Sequence, residues 1–147
     1  MIELVIPGEP QAKGRPRFYP IRTKAGRTFG RAVTPERTRN YEVYIRELFV
    51  LAYPGFIPME GALSMEVDAY LGIPKSASKR KRDMMEAGAV VPERRPDFDN
   101  LAKTAGDALN GLAFRDDSQI AEAVIRKRFS SQPRMIIRVG PVGEGKP

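Results

Sequence analysis

The sequence predicts a single α+β domain in which a mixed sheet of about four strands carries helices mainly on one face. Its 147 residues suit one hydrophobic core and leave little room for a second. Short apolar or alternating runs predict strands near both ends and in the middle of the chain, with helical segments between them. We expect one domain over residues 1–140 and a flexible C-terminal tail over 141–147.

Two strands are predicted in the first half. The apolar run "IELVI" at residues 2–6, closed by Pro7 and Gly8, indicates a buried strand, and we expect a loop after it. Residues 63–71 alternate strictly between apolar and polar side chains, as a half-buried strand requires. A sheet with one covered face follows from that alternation.

The clearest helix lies between these strands. Residues 34–53 open with Thr34 as N-cap and Pro35 at the first helical position, after which apolar side chains recur at helical spacing. We expect three aromatic residues of this helix to belong to the core, together with Met65 of the following strand: Tyr41, Tyr44 and Phe49.

Four further elements are predicted in the second half. Residues 76–88 favour either a short helix capped by Ser76 or a mobile basic segment. Residues 100–110 have a helical apolar pattern that ends at Gly111, typical of a left-handed cap. Residues 119–128 and 134–139 are predicted to be strands of a hairpin joined by the turn "SSQP".

The charge balance favours a polyanionic partner. The chain has 25 Lys and Arg residues against 18 Asp and Glu, a net charge of +7, which suits nucleic acid but is also typical of basic structural proteins. There is no Cys and no His, which excludes disulfides, the usual zinc sites and a histidine general base. No apolar run is long enough for a membrane span and no signal-peptide pattern is present, so we expect a cytoplasmic protein without a membrane partner.

Against this basic background, five aspartates are concentrated between residues 94 and 120: Asp97, Asp99, Asp107, Asp116 and Asp117. Asp97 and Asp99 are two residues apart, so in an extended segment both carboxylates project to one side and can meet one cation. Lys103 follows Asp99 by one helical turn, which places an ammonium beside the acidic pair.

The second pair, Asp116 and Asp117, must return to the first if all the carboxylates are to bind one ion. An 11-residue helix carries the chain roughly 16 Å away, and six extended residues can span roughly 20 Å back. Convergence within one subunit is geometrically allowed but tight. A homodimer in which Asp117 completes the partner's site would ease the constraint.

A cluster of carboxylates is repulsive unless a cation fills it. Magnesium fits best, with manganese as a substitute, because the chain offers only hard oxygen ligands. Without His, a metal-activated water is the natural nucleophile for phosphodiester hydrolysis, and Lys103 could orient it or stabilise the transition state.

The segment "PDFDNLAKTAGDALNG", followed by "DDSQI", resembles the signature of the RusA family of Holliday junction resolvases, and "IPGEPQAKGRPRF" is similar to the opening of many phage-borne members. The resemblance implies a RusA-like homodimer that makes Mg²⁺-dependent paired nicks at four-way DNA junctions. It also implies that Asp97, Asp99 and Asp117 bind the metal, that Lys103 is catalytic and that Asp116 supports the site. Because the connector is about one residue shorter than in some members, Asp116 stays an alternative third ligand to Asp117.

Simpler interpretations stand beside this one. Asp99 or Asn100 could merely cap the helix, and Lys103 could be a surface partner of Asp99 or Asp107. The chain could also act on flaps or forks, or bind DNA as a non-catalytic accessory protein. A metal site says nothing about the shape of the substrate.

Basic side chains supply candidate DNA contacts. Residues 13–33 form a basic segment that either contacts DNA, with Phe18 and Tyr19 stacking or wedging at a branch point, or is simply solvated or disordered. The residues for which DNA contact is predicted are Lys13, Arg15, Arg17, Lys79, Arg80, Lys81, Arg94 and Arg95.

Overall fold

The computed structural model describes residues 1–11, 17–22, 28–33 and 36–143. In chain order its helices are α1 (Glu36–Ala52), α2 (Lys79–Glu86) and α3 (Phe98–Leu109), and a short 3₁₀ turn follows at Asp117–Gln119. Its strands are β1 (Ile2–Pro7), β2 (Arg17–Arg22), β3 (Thr28–Val33), β4 (Leu63–Gly72), β5 (Ile120–Ser130) and β6 (Arg134–Pro141).

The predicted mixed α+β architecture is confirmed. Four strands form one sheet in the order β1-β6-β4-β5, in which β4 is antiparallel to β6 and parallel to β5. The alternation that predicted β4 is confirmed, because its apolar side chains are buried on one face: Leu63, Met65, Val67, Ala69 and Leu71.

The predicted hairpin between the last two strands is wrong, because β4 lies between β5 and β6. Strands on either side of a third are about 10 Å apart. The connection at residues 131–133 is long enough to step over one strand, since each residue spans roughly 3.4 Å. Loop length therefore does not distinguish adjacent strands from strands separated by one.

Helices α1 and α3 pack together and contribute to the buried core. Tyr41 and Phe49 of α1 are buried, as expected, and so is Met65 of β4. Tyr44 was wrongly assigned to the core: it is 37% exposed, and its hydroxyl donates to the Pro7 carbonyl at 3.4 Å.

The basic segment after β1 is not a plain loop. β2 and β3 pair in antiparallel register as a separate two-stranded sheet, with Pro20 opposite Gly30. Each strand of such a ribbon has an unpaired edge, where a proline without an N–H is tolerated. These strands were not predicted because the segment is rich in charged residues, Gly and Pro, which are not typical of strands. The predicted cap at Thr34 and Pro35 lies outside the described residues.

Two helix boundaries also differ from prediction. Helix α2 does form, but its cap is Ser78 rather than Ser76, and the Ser78 hydroxyl accepts from Lys81 N at 3.3 Å. Helix α3 begins at Phe98, two residues earlier than predicted, and Gly111 has the expected left-handed φ of 81° in the turn after it.

The predicted C-terminal tail, residues 141–147, is only partly described. Strand β6 includes Pro141, and Val142 N donates to the Ala62 carbonyl at 3.3 Å. Residues 144–147 lie outside the described part of the chain. None of the described helices is long and apolar enough to cross a membrane.

Candidate active site on helix α3

The first acidic pair lies at the start of α3. Asp97 occupies the N-cap position, and its carbonyl accepts the first helical hydrogen bond, from Leu101 N at 3.1 Å. The Asp97 carboxylate makes no capping hydrogen bond. Capping by Asp99 or Asn100 is wrong, because both residues already lie inside the helix. The side chains of Asp97 and Asp99 are exposed.

One face of α3 carries the candidate chemistry. Asp99, Lys103 and Gly106 lie at positions i, i+4 and i+7, one above another on the helix surface. The Lys103 Nζ atom lies 3.8 Å from the Asp107 Oδ1 atom, and the Lys103 side chain is 60% exposed. The predicted surface pairing with Asp107 is therefore present, but it leaves the ammonium largely open to solvent. The opposite face is buried in the core through Leu101, Ala105, Ala108 and other residues.

Gln119 fixes the turn that brings the second acidic pair back to α3. Its Oε1 atom accepts from the backbone N–H groups of Arg115 at 2.8 Å and Asp116 at 3.0 Å. Its Nε2 atom donates to the carbonyls of Met59 at 2.9 Å and Gly61 at 3.0 Å. One side chain thus ties the acidic turn to the segment before β4.

The two adjacent aspartates have different surroundings. The Asp116 carboxylate accepts from Ser118 N at 3.1 Å and caps the 3₁₀ turn. Hydrogen bonds from Ser118, foremost, and also from Asn110 lower the pKa of Asp116. Asp117 is half-buried beside α3: a Cβ added at Gly106 would lie 3.7 Å from the Asp117 Cβ and 3.8 Å from its Oδ2.

The segment that carries Asp117 therefore reaches the expected face of α3, but at a point two helical turns beyond Asp99. Seven residues of helix correspond to about 10 Å along the axis. Within the described residues, no three acidic side chains lie close enough together to hold one metal ion. A single centre formed by Asp97, Asp99 and Asp117 stays a prediction.

The chemistry of these groups nevertheless suits a hard divalent cation. Among described residues, no hydrogen bond or ion pair engages the carboxylates of Asp97, Asp99 or Asp117. Carboxylate oxygens are the ligands that magnesium and manganese prefer. The Asp116 carboxylate differs from these three because it is engaged in capping the 3₁₀ turn.

The segment before Asp97 is held by a residue that sequence reasoning missed. Lys127 of β5 donates from its Nζ to the carbonyls of Arg94 at 2.8 Å and Pro96 at 3.1 Å. Nothing in the sequence pairs this lysine with a segment about 30 positions away. Gln119 and Gly106 were also missed as positioning residues, although both lie within the quoted motif.

The predicted DNA contacts fall into three groups. Lys79, Arg80 and Lys81 of α2 are exposed, as is Arg95. Arg94 is partly used within the fold, because it donates to the Gly72 carbonyl at 3.2 Å and lies 3.7 Å from Glu9. The remaining contacts are in the N-terminal basic segment: Lys13 and Arg15 lie outside the described residues, and Arg17 begins β2.

The fold and this helix face define a class: a small α+β protein that presents carboxylates and an amine, the groups used in metal-dependent phosphoryl transfer. The chain matches the family Endodeoxyribonuclease RusA over residues 7–140 and belongs to that family. It is also 34% identical over 143 residues to "Uncharacterized protein YqaN" of Bacillus subtilis (strain 168), a match that covers 96% of each chain. The family resemblance carried by the acidic motif is confirmed.

Proposed function

We propose that this protein is a Mg²⁺-dependent, structure-specific endodeoxyribonuclease that resolves Holliday junctions by paired nicks, with Mn²⁺ as a substitute ion. One observation carries the proposal. The carboxylates of Asp97, Asp99 and Asp117 have no partner among the described residues, and Asp99 and Asp117 lie along the α3 face that also presents Lys103. Membership of the RusA family supports the assignment.

Each residue has a distinct task in this scheme. Asp97 and Asp99 form the first part of the metal site, and Asp117 supplies the third carboxylate. When bound, the ion polarises the phosphate and lowers the pKa of an attacking water. Lys103 places its exposed ammonium where it can offset the charge that develops on the phosphate. Asp116 maintains the turn that carries Asp117.

A homodimer is part of the proposal. Two nicks placed symmetrically across a junction require two active sites in fixed relation, which a two-fold dimer provides. A dimer would also allow Asp117 to complete the partner's metal site, since Asp117 lies two helical turns from Asp99 within one subunit. Metal binding that depends on protein concentration would support this arrangement, and a fully active monomer would rule it out.

The basic surfaces supply affinity for the DNA backbone. The exposed cations of α2 and Arg95 suit phosphate contacts, which hold a nucleic acid without reading its sequence. Lys13, Arg15 and Arg17 are proposed to extend this surface.

The test is cleavage of a labelled synthetic four-way junction with Mg²⁺. Wild-type protein should make symmetric nicks, and Asp97→Asn should lose roughly 100-fold or more of the rate, because it weakens the hold on the ion that stabilises the charge of the transition state. Gel-shift binding should persist in Asp97→Asn. Asp83→Asn removes the same charge from the exposed α2 helix and serves as the matched control. Binding without cutting in any divalent ion would instead indicate a non-catalytic accessory protein, and preferred cutting of flaps or forks would change the substrate.

A further inference from the structure

We propose that Lys127 is a positioning residue for the metal site, because it holds the backbone that presents Asp97. The inference rests on the proposed function. It assigns a role in metal binding to a side chain that lies on strand β5, outside the acidic motif.

The geometry of Lys127 carries the inference. Its half-buried side chain starts from β5, opposite Ala69 of the neighbouring β4, and its ammonium bonds the carbonyls of Arg94 at 2.8 Å and Pro96 at 3.1 Å. Pro96 immediately precedes Asp97. The sheet therefore fixes the chain at the point where α3 and its acidic pair begin.

A second contact, made by the Arg94 side chain, holds the same segment. The Arg94 guanidinium donates to the Gly72 carbonyl at 3.2 Å and lies 3.7 Å from Glu9. The Glu9 carboxylate in turn accepts from Gly72 N at 3.1 Å. Residues 94–96 are thus anchored to the end of β4 by a side chain and to β5 by two carbonyls.

The position of the backbone matters here because no described hydrogen bond fixes the side chains of the two proposed ligands. The Asp97 carboxylate makes no capping bond, and none of the described residues bonds the Asp99 carboxylate. The position of the backbone therefore determines whether both carboxylates can bind one metal ion. Losing a residue that orients metal ligands typically costs about 10–100-fold in metal affinity.

Arg128 provides a matched control on the same strand. Strand residues two apart from each other lie on one face, so Arg126 and Arg128 share the face opposite to Lys127. Arg128 NH1 lies 3.5 Å from the Asp68 carboxylate and Arg126 NH1 lies 3.4 Å from it. Arg128→Met therefore removes a cation and a fold contact without touching the Asp97 segment.

The experiment measures Mn²⁺ binding by electron paramagnetic resonance, without DNA, alongside thermal unfolding and amide hydrogen exchange. In Lys127→Met we expect the dissociation constant for Mn²⁺ to rise about 10–100-fold and exchange to accelerate at residues 101–104, which include the first α3 amide that is hydrogen-bonded within the helix. Lys127→Arg, which can still donate to both carbonyls, should restore most of the affinity. Arg128→Met should lower the melting temperature while leaving Mn²⁺ affinity unchanged.

The inference is overturned if folded Lys127→Met binds Mn²⁺ as wild type does, or if Arg128→Met loses as much affinity. If Lys127→Met does not fold, Lys127→Gln takes its place, and wild-type affinity in that variant would overturn the inference equally. Failure of the proposed function is distinguishable, because wild-type protein would then neither bind Mn²⁺ nor cut the junction.

Discussion

Gly106 offers the sharpest test of where Asp117 lies. It sits inside α3 on the face that carries Asp99 and Lys103, and Asp117 packs against it. Two substitutions at this position should have opposite consequences. Gly106→Ala should stabilise the protein and leave the site intact, whereas Gly106→Val should displace Asp117.

The distances set the expected magnitudes. An alanine Cβ would lie 3.7 Å from the Asp117 Cβ and 3.8 Å from Oδ2, which are ordinary contact distances. Replacing a helical glycine by alanine then contributes about 1 kcal/mol, or about 2–4 °C in melting temperature for a chain of this size. Valine fills two of the three staggered positions about 1.5 Å beyond Cβ, and a methyl directed at Asp117 would lie inside the contact distance of about 3.5–4.0 Å. Such overpacking costs roughly 1–3 kcal/mol.

The assays are thermal unfolding by circular dichroism, Mn²⁺ binding and junction cleavage. Gly106→Ala should melt higher with unchanged metal affinity and cleavage. Gly106→Val should melt lower and should lose metal affinity in the protein that remains folded. Unchanged metal affinity in folded Gly106→Val would refute Asp117 as a ligand, and loss of cleavage in a stabilised Gly106→Ala would refute the packing of Asp117 on Gly106.

Two further predictions concern the acidic turn and the basic helix. Asp116 has a pKa lowered from 3.8, chiefly by its hydrogen bond from Ser118, so its charge stabilises the fold above that pH and ceases to do so as pH falls through the lowered value. Wild type should therefore melt above Asp116→Asn near neutral pH, and the difference should shrink as the pH falls below 3.8; a gap that stays constant would contradict this. Replacing Lys79, Arg80 and Lys81 by Ala should reduce the salt dependence of junction binding by about 0.9 in log–log slope per lost phosphate contact, or roughly 2.7 for all three. A fluorescence titration at several salt concentrations measures the slope, and an unchanged slope would exclude α2 from the DNA contact.

Local pattern predicted those parts of the fold in which one chain segment determines its own structure. The strict alternation of residues 63–71 identified β4, and helical periodicity identified α1 and α3. The pairing of strands that are distant in the sequence could not be predicted from such local patterns. The order β1-β6-β4-β5 depends on which strand edges pair. A three-residue connection is compatible both with adjacent strands and with strands separated by a third.

The candidate site shows the same division. Asp97, Asp99 and Lys103 could be found because they lie within one short motif with meaningful spacing. Lys127 could not, because its contact with the carbonyls of Arg94 and Pro96 exists only once β5 lies beside α3. Gln119 was visible in the motif, but its bonds to Met59 and Gly61 were not.

The backbone conformations of Asp116 and Asp117 bear on which of the two is the better candidate for the third ligand. Asp116 is extended, with φ −152° and ψ 146°, immediately before the 3₁₀ turn, so its carboxylate reaches over the turn to Ser118 N. Asp117 begins the turn and packs on Gly106, where its oxygens meet no described donor. A carboxylate can accept a backbone hydrogen bond and still bind an ion, but the bond from Ser118 N holds the Asp116 carboxylate over the turn, whereas no described bond holds that of Asp117. The shorter connector left both residues as candidates, and this difference in existing partners favours Asp117 as the ligand and Asp116 as its support.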